Sequence, residues 1–522
     1  MNSNNSQITV AQEIKSDWKY ITGLLLFGLA IHIILWITWP LHAGGDASSY
    51  IYYFLDSFNA VPIYHFLMCF RLPVSSFLFG ALLYWGGANL VTFILEILAL
   101  SSILMIYLIA KRWGKWTARI VAIVFILMIP YQVQLHQVTS DGIFAWFVIL
   151  FLFLLRYALY NESLKLWIFL GITTALATLT RPNGLALVLI ILVIFFLKLG
   201  WKKVLSFMLV ILLSFGIITG GYITYKGIRY QDYSIARGSN SIIFNRVFKY
   251  QNSAIKSENG PHTKKYIDLV EKNILTTDIY RDYGVTIRDF LTYRPNSRFW
   301  ADSVVMVDLA EGWNSNYRLL ALVSFEAIKA NPYDFIVTFA KGILTLSTAK
   351  PHIPDIPVKA DSSDLDNTET AELNENSLPI PTEGQLIPES NYMWIASNPS
   401  GIFPTEEAVD TFNNKANVLI KEYQRYSGNE KIRRIIVFLW DSFYVPIIFL
   451  WVLSILGIIF SRRKDRLYLT TVFLLYIVII IGTKFGTDPH IRYRLPLDPM
   501  ILISGFAGLT LFIKRMVNKI KD

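Results

Sequence analysis

The chain has 522 residues, of which 54% are hydrophobic and only 16% charged, with a net charge of +10. Soluble domains carry about 25% charged residues, so this composition excludes an ordinary soluble enzyme and points to a polytopic membrane protein. The positive charge does not indicate a nucleic-acid partner. The basic residues sit in short clusters beside apolar runs (Lys111 and Arg112, Lys202 and Lys203, Arg462 to Lys464, Lys514 and Arg515), as they do in cytoplasmic loops.

In chain order, residues 1–19 are polar and read as a cytoplasmic tail. The run 20–39 follows with no small-residue cleavage site, so it reads as an uncleaved first span rather than a signal peptide. A span needs about 20 apolar residues. Further candidates are 89–110, 117–134, 141–158, 165–180, 183–200, 203–224, 436–460, 467–484 and 497–513. The expected fold class is therefore an all-α polytopic transmembrane bundle of about ten spans. Its parts are a membrane module 20–224 with a first outer loop 40–88, an outer segment 225–435, C-terminal spans 436–513 and a cytoplasmic tail 514–522. With the N-terminus inside, every basic cluster named above also falls inside. Residues 334–349 are apolar, but a crossing there would invert the later clusters, so this stretch reads as an interfacial or packed helix. The outer segment begins with mixed aromatic and charged residues, which predicts a folded mixed domain. Residues 355–390 are acidic and rich in Pro, Ser and Asn, which predicts a mobile loop. Cys69 is the only cysteine, which excludes an intrachain disulfide and a cysteine-rich metal site.

The same topology places several polar groups on one outer face. GGDASSY (44–50) lies just beyond the first span, where glycines permit a sharp turn. Asp46 there suits a general base or a cation ligand, or is simply a solvated loop residue. Tyr50 suits an interfacial anchor or a substrate contact. In QVTSDGIF (137–144), Asp141 opens a span, where an acidic residue also serves as an ordinary helix cap. In ATLTRPNG (177–184), Pro182 and Gly184 interrupt the helix and leave Arg181 at the boundary, placed to snorkel to head groups or to grip a phosphate. In GTDPHIRYRLPLDP (486–499), Arg492 and Arg494 lie outside, where topology does not favour positive charge, and an extended backbone would aim them the same way. His136 and His490 are placed to approach this face. His32, Glu96 and Asp441 lie within spans and read as interhelical hydrogen-bonding groups. No His/Cys ligand spacing appears, so no metal site is predicted.

The order of these motifs resembles the GT-C superfamily of polytopic glycosyltransferases. It is similar to the bacterial relatives of the dolichyl-phosphate-mannose protein mannosyltransferases, a group that includes the lipid A aminoarabinose transferase. The matching pieces are GDASSY, RLPVSSFLFGALLYWGG (71–87), SDGIF, LATLTRPNG, AIKANPYDFIVTFAKGIL (327–344) and RYRLPLDPMILISGFAGL. The resemblance implies a polyprenyl-phosphate sugar donor and a lipid, glycan or protein acceptor hydroxyl. It implies Asp46 as the base, inversion at the anomeric carbon, and no metal or other cofactor. Arg181, Arg492 and Arg494 would stabilise the leaving phosphate. Asp141, Tyr50 and His490 would bind or orient substrate. A bacterial inner membrane and an extracytoplasmic site follow from the same likeness. The sequence departs from the protein mannosyltransferases in one respect: Asp46 is followed by Ala47 rather than Glu. The alternatives are an O-antigen-ligase or polymerase-like transferase, a transporter, and a non-catalytic membrane scaffold. Ionisable residues gathered at one face argue against a transporter, whose site would sit near the midplane.

Overall fold

The structure is a computed structural model that describes residues 9–44, 46–196, 200–251, 254–282, 284–292, 297–351, 353, 404–423, 428–443, 446–486 and 491–521. Among these, six helices are long and apolar enough to cross a membrane: Trp18–Thr38, Pro73–Trp113, Ser140–Asn161, Trp201–Tyr230, Lys464–Phe485 and Ile491–Ile520. The pair Glu430–Ser442 and Ile447–Phe460, bent by 47°, makes a seventh if it counts as one span. The other three expected spans are shorter or broken. Residues 117–134 divide into Lys115–Ile126 and Ile129–Gln134 at the turn before Pro130. Leu164–Thr178 ends four residues before Pro182, and Pro182–Leu189 is a 3-10 helix that becomes regular helix only over Ile190–Ile194. Proline lacks the N–H that would continue the ladder, which accounts for both interruptions.

The membrane helices share one large apolar core. Its closest seam joins Ile447–Phe460 to the C-terminal helix Asp498–Lys521. There a Cβ on Gly508 would collide with the Leu453 carbonyl, and Ser454 Oγ lies 2.8 Å from Ser504 Oγ. Small residues allow this approach where lipid gives no hydrophobic drive between helices.

A second core belongs to the helices between Ser239 and Ala330. Where a mixed domain was expected, the described residues form helices joined by turns, with no strand among them. Its aromatics recur at helical spacing, as in Phe244 and Phe248, whose rings pack 5.3 Å apart. This core also takes in Phe66, Met68 and Cys69 from the first loop. Two buried ion pairs hold the join: Lys226–Asp232 at 3.0 Å and Arg237–Asp308 at 2.9 Å. Pro332–Thr348 is a helix packed on the Arg463–Gly486 helix through Phe335, Phe339 and Phe485. The acidic stretch 355–390 lies outside the described residues.

Charge divides the bundle into two ends. At one end Asp17 is bound by Lys111 (2.6 Å) and Lys115 (2.8 Å), Glu13 by Arg156 (2.5 Å), and Asp465 by Arg112 (2.9 Å). Lys514 caps the Trp113 carbonyl beside them. Asp46, Asp141, Arg181 and Arg492 gather at the other end.

Candidate active site

The site begins where the first span stops. Beyond Trp39 and Pro40, the chain forms a two-residue strand, β1 (His42–Ala43), parallel to β2 (Gln137–Val138). The register is His42↔Gln137 and Ala43↔Val138. Counting on from it, Asp46 and Asp141 occupy equivalent positions beyond their strands. Gly44 passes so close to the partner strand that a Cβ would lie 3.0 Å from both the Val138 carbonyl oxygen and Thr139 Cβ. The glycine is there to bring the two aspartate-bearing segments together.

Asp46 precedes the helix Ala47–Asp56, yet its side chain makes no capping hydrogen bond. The carboxylate turns instead to Arg71, whose Nη2 donates to Oδ1 at 2.7 Å. Arg71 is delivered by the loop that returns from Asp56, whose carboxylate accepts from Ile63 N and Tyr64 N, both at 2.8 Å. The guanidinium of Arg71 lies over the rings of Phe70 (4.9 Å) and Tyr50 (5.6 Å). Burial alone would raise the pKa of Asp46, but Arg71, then Arg492 and Arg181, outweigh it and hold the carboxyl below its usual range.

Asp141 sits in the first turn of Ser140–Asn161, capped by Thr139. It is also ion-paired with Arg181; Thr139, not Asp141, supplies the cap, and the Thr139 hydroxyl donates to Asp141 Oδ2 at 3.1 Å. Arg181 precedes Pro182 and takes the extended conformation that proline imposes on its predecessor (φ −147°, ψ 136°), which swings it away from its own helix. Tyr50 is buried, and its hydroxyl accepts from the Ser140 backbone N–H at 3.2 Å. It ties the Asp46 helix to the Asp141 helix and packs against Arg71, so it serves as a brace rather than a lipid anchor.

Residues 491–493 form a 3-10 turn, not the extended segment expected for 492–494. At three residues per turn, side chains two apart face different ways. Arg492 is exposed, donates to the Tyr493 hydroxyl at 2.9 Å, and forms no ion pair among the described residues. The Tyr493 ring lies within 5.1 Å of the Arg181 guanidinium and 4.9 Å of that of Arg492. Arg494 is fully buried and turned inward, bound to Asp498 at 3.0 Å and to the carbonyls of Leu346 (2.8 Å) and Ala349 (2.7 Å). It holds the end of the Pro332–Thr348 helix, and the expectation that it faces a donor phosphate is corrected accordingly. His490 lies outside the described residues. Asp441 pairs with Lys350 at 2.6 Å in an exposed position, not within the bundle.

Arg71 is the functional residue that the sequence reading left unassigned. Its signal was present: a cation in the first outer loop, where topology does not favour one. Among the described residues, the arrangement offers one partly accessible carboxylate, a buried tyrosine, two guanidinium groups committed to carboxylates, and one guanidinium that is not. Each aspartate is already neutralised by an arginine, so the pair is not arranged to share a cation. A cavity of about 1170 Å³ lies at the far end of the Ala47–Asp56 helix, lined by Phe54, Phe58, Tyr84, Trp85 and Phe412, and includes none of these groups.

Residues 73–220 match the family model described as dolichyl-phosphate-mannose-protein mannosyltransferase. The match covers less than a third of the chain. The matched stretch contains Asp141 and Arg181, while Asp46, Arg71 and Arg492 lie outside it. No curated protein matches the chain. Among solved structures, the chain is similar to the archaeal oligosaccharyltransferase AglB from Archaeoglobus fulgidus, in complex with an inhibitory peptide and a dolichol-phosphate. That likeness has 14% identity and a TM-score of 0.41, covering 96% of this chain and 51% of that one. The chain thus spans about half the length of the archaeal protein. It is also similar to ArnT from Cupriavidus metallidurans bound to undecaprenyl phosphate, with 12% identity and a TM-score of 0.33, covering 95% of this chain and 78% of that one. Likenesses at these scores say nothing about donor or acceptor.

Proposed function

We propose that this protein is a membrane glycosyltransferase that moves a sugar from a polyprenyl-phosphate donor to an acceptor hydroxyl at the extracytoplasmic face. The observation that carries the reading is the Asp46 cluster: an ionised, partly accessible carboxylate at one end of the bundle, beside an Arg492 that forms no ion pair among the described residues. The opposite end holds the basic residues of the loops, which supports placing it in the cytoplasm and the cluster outside.

In this reading Asp46 accepts the acceptor hydroxyl proton. The oxygen attacks the anomeric carbon from the face opposite the phosphate, the new C–O bond forms as the old one breaks, and the polyprenyl phosphate leaves with the electron pair. Attack from the opposite face inverts the anomeric centre. Arg492 takes the developing phosphate charge, for which its planar fork is suited. Arg181 and Asp141, fixed to each other and to Tyr493, position Arg492. Arg71 keeps Asp46 ionised and aimed. An inner bacterial membrane and an undecaprenyl carrier fit the resemblance to bacterial members.

The test is release of free undecaprenyl phosphate by purified protein in detergent, from a panel of undecaprenyl-phosphate sugars, with and without cell-envelope acceptor extracts. Turnover of one donor, with an inverted anomeric configuration in the product, supports the proposal. Inert protein across the panel with every acceptor extract would refute it.

A further inference from the structure

About two helical turns before the first span ends, three side chains from distant parts of the chain converge. His32 comes from the first span, Glu96 from the Pro73–Ala110 helix, and His136 from the connector leading into β2. His32 Nδ1 lies 3.3 Å from His136 Nε2 and 3.2 Å from Glu96 Oε2, and His136 Nε2 lies 3.6 Å from Glu96 Oε1. Both histidines are buried, and Glu96 is nearly so.

Hydrogen bonding fixes which atoms carry protons. Gln132 Nε2 donates to the Phe125 carbonyl at 2.6 Å, which orients that amide and turns its Oε1 towards His32 Nε2 at 3.2 Å. An amide oxygen only accepts, so His32 Nε2 carries a hydrogen and the neutral ring presents a lone pair at Nδ1. That lone pair faces Glu96 Oε2, which is buried and has no hydrogen-bond partner among the described residues. The His136 ring is held in turn by the Trp39 backbone. With both rings neutral, lone pairs therefore meet with nothing positive between them. A histidine whose far nitrogen is pinned by a protein oxygen is the usual arrangement around a bound metal.

We propose that His32, Glu96 and His136 bind a divalent transition-metal ion of the zinc class. Tetrahedral zinc with bonds of about 2.0–2.1 Å requires ligand atoms about 3.3–3.4 Å apart; the two imidazole nitrogens are 3.3 Å apart, and each meets a different Glu96 oxygen, His32 Nδ1 at 3.2 Å from Oε2 and His136 Nε2 at 3.6 Å from Oε1. Two imidazoles and one carboxylate are a common zinc donor set, and the fourth position stays open for water. The role is a brace. The His136 carbonyl accepts from the His42 backbone N–H at 3.1 Å, next to the β1–β2 pairing. The ion would lock the first span and the Pro73–Ala110 helix to the strands that carry Asp46 and Asp141. This site is separate from the aspartate–arginine cluster and does not depend on the proposed reaction.

The experiment measures metal directly. Full-length protein, purified in detergent without a polyhistidine tag from zinc-replete medium, is desalted and analysed by mass spectrometry for metals. The expected result is about one zinc per chain, with at least a tenfold loss of affinity in Glu96→Gln and in His32→Asn. To separate loss of metal from misfolding of a variant, wild-type protein stripped of metal is also titrated with cobalt. A tetrahedral site then gives strong visible absorption that zinc abolishes. Wild-type protein that takes up neither zinc nor cobalt at micromolar concentration would overturn the proposal and leave a shared proton as the bridge. Equal zinc in wild type and both variants would overturn it as well.

Discussion

Replacing Arg71 by Gln removes the charge nearest Asp46 while keeping much of the side chain's bulk. Two unit charges about 4 Å apart interact by about 4 kcal/mol at an effective dielectric of about 20. The carboxylate side chain is 33% exposed, so solvent screens part of this; about 1–2 kcal/mol remains, or about one pH unit. The sign follows from the base form. Asp46 acts when ionised, and Arg71 holds its pKa down, so activity persists to lower pH than an ordinary carboxylate would allow. Without Arg71 the pKa rises and the carboxylate is protonated sooner on acidification. The acid limb of kcat/KM against pH should therefore move up by about one unit. Arg492 and Arg181 also face Asp46 and remain, so the shift is partial. The assay is donor turnover between pH 4 and pH 8, with protein integrity checked at each pH. An acid limb that stays in place while the plateau falls would refute the pairing of Arg71 with the titrating group.

Three further outcomes are expected. Arg492→Ala should lower kcat/KM by about 10- to 100-fold, because a charge-assisted bond to phosphate contributes about 1.5–3 kcal/mol. Its thermal stability should not change, since the side chain is exposed; steady-state kinetics and a melting curve separate the two effects. Arg494→Ala should do the reverse. It strands the fully buried Asp498 carboxylate, costs about 3–5 kcal/mol, and lowers the melting temperature in detergent while the donor KM of folded protein is preserved. Gly44→Ala places a Cβ against Val138 and Thr139 and should separate the two aspartate segments, reducing turnover more than stability.

The site was legible where a residue's local sequence dictates its position. Pro182 announces that Arg181 leaves its helix, and the glycine pair after the first span announces a tight turn at Asp46. Their placement at one end followed from hydropathy and loop charge. What was not legible depended on backbone conformation or on distant contacts. Arg492 and Arg494 separate because the turn is 3-10, and a run with prolines at 496 and 499 does not declare that in advance. His32, Glu96 and His136 meet only through packing of three segments far apart in sequence, so no ligand spacing marks them. The helical character of the outer domain was visible in the sequence only as the four-residue spacing of aromatics such as Phe244 and Phe248. The broken spans at Pro130 and Pro182 were visible as interruptions, yet apolar length alone does not say whether such a run crosses.

The central claim is that Asp46 is the base for glycosyl transfer. Asp46→Asn keeps the shape of the side chain and removes its proton affinity. Turnover of the undecaprenyl-phosphate sugar that wild type accepts should fall by about a hundredfold or more, with donor binding retained because Arg492 is untouched. A variant that turns over the same donor at the wild-type rate would contradict the account.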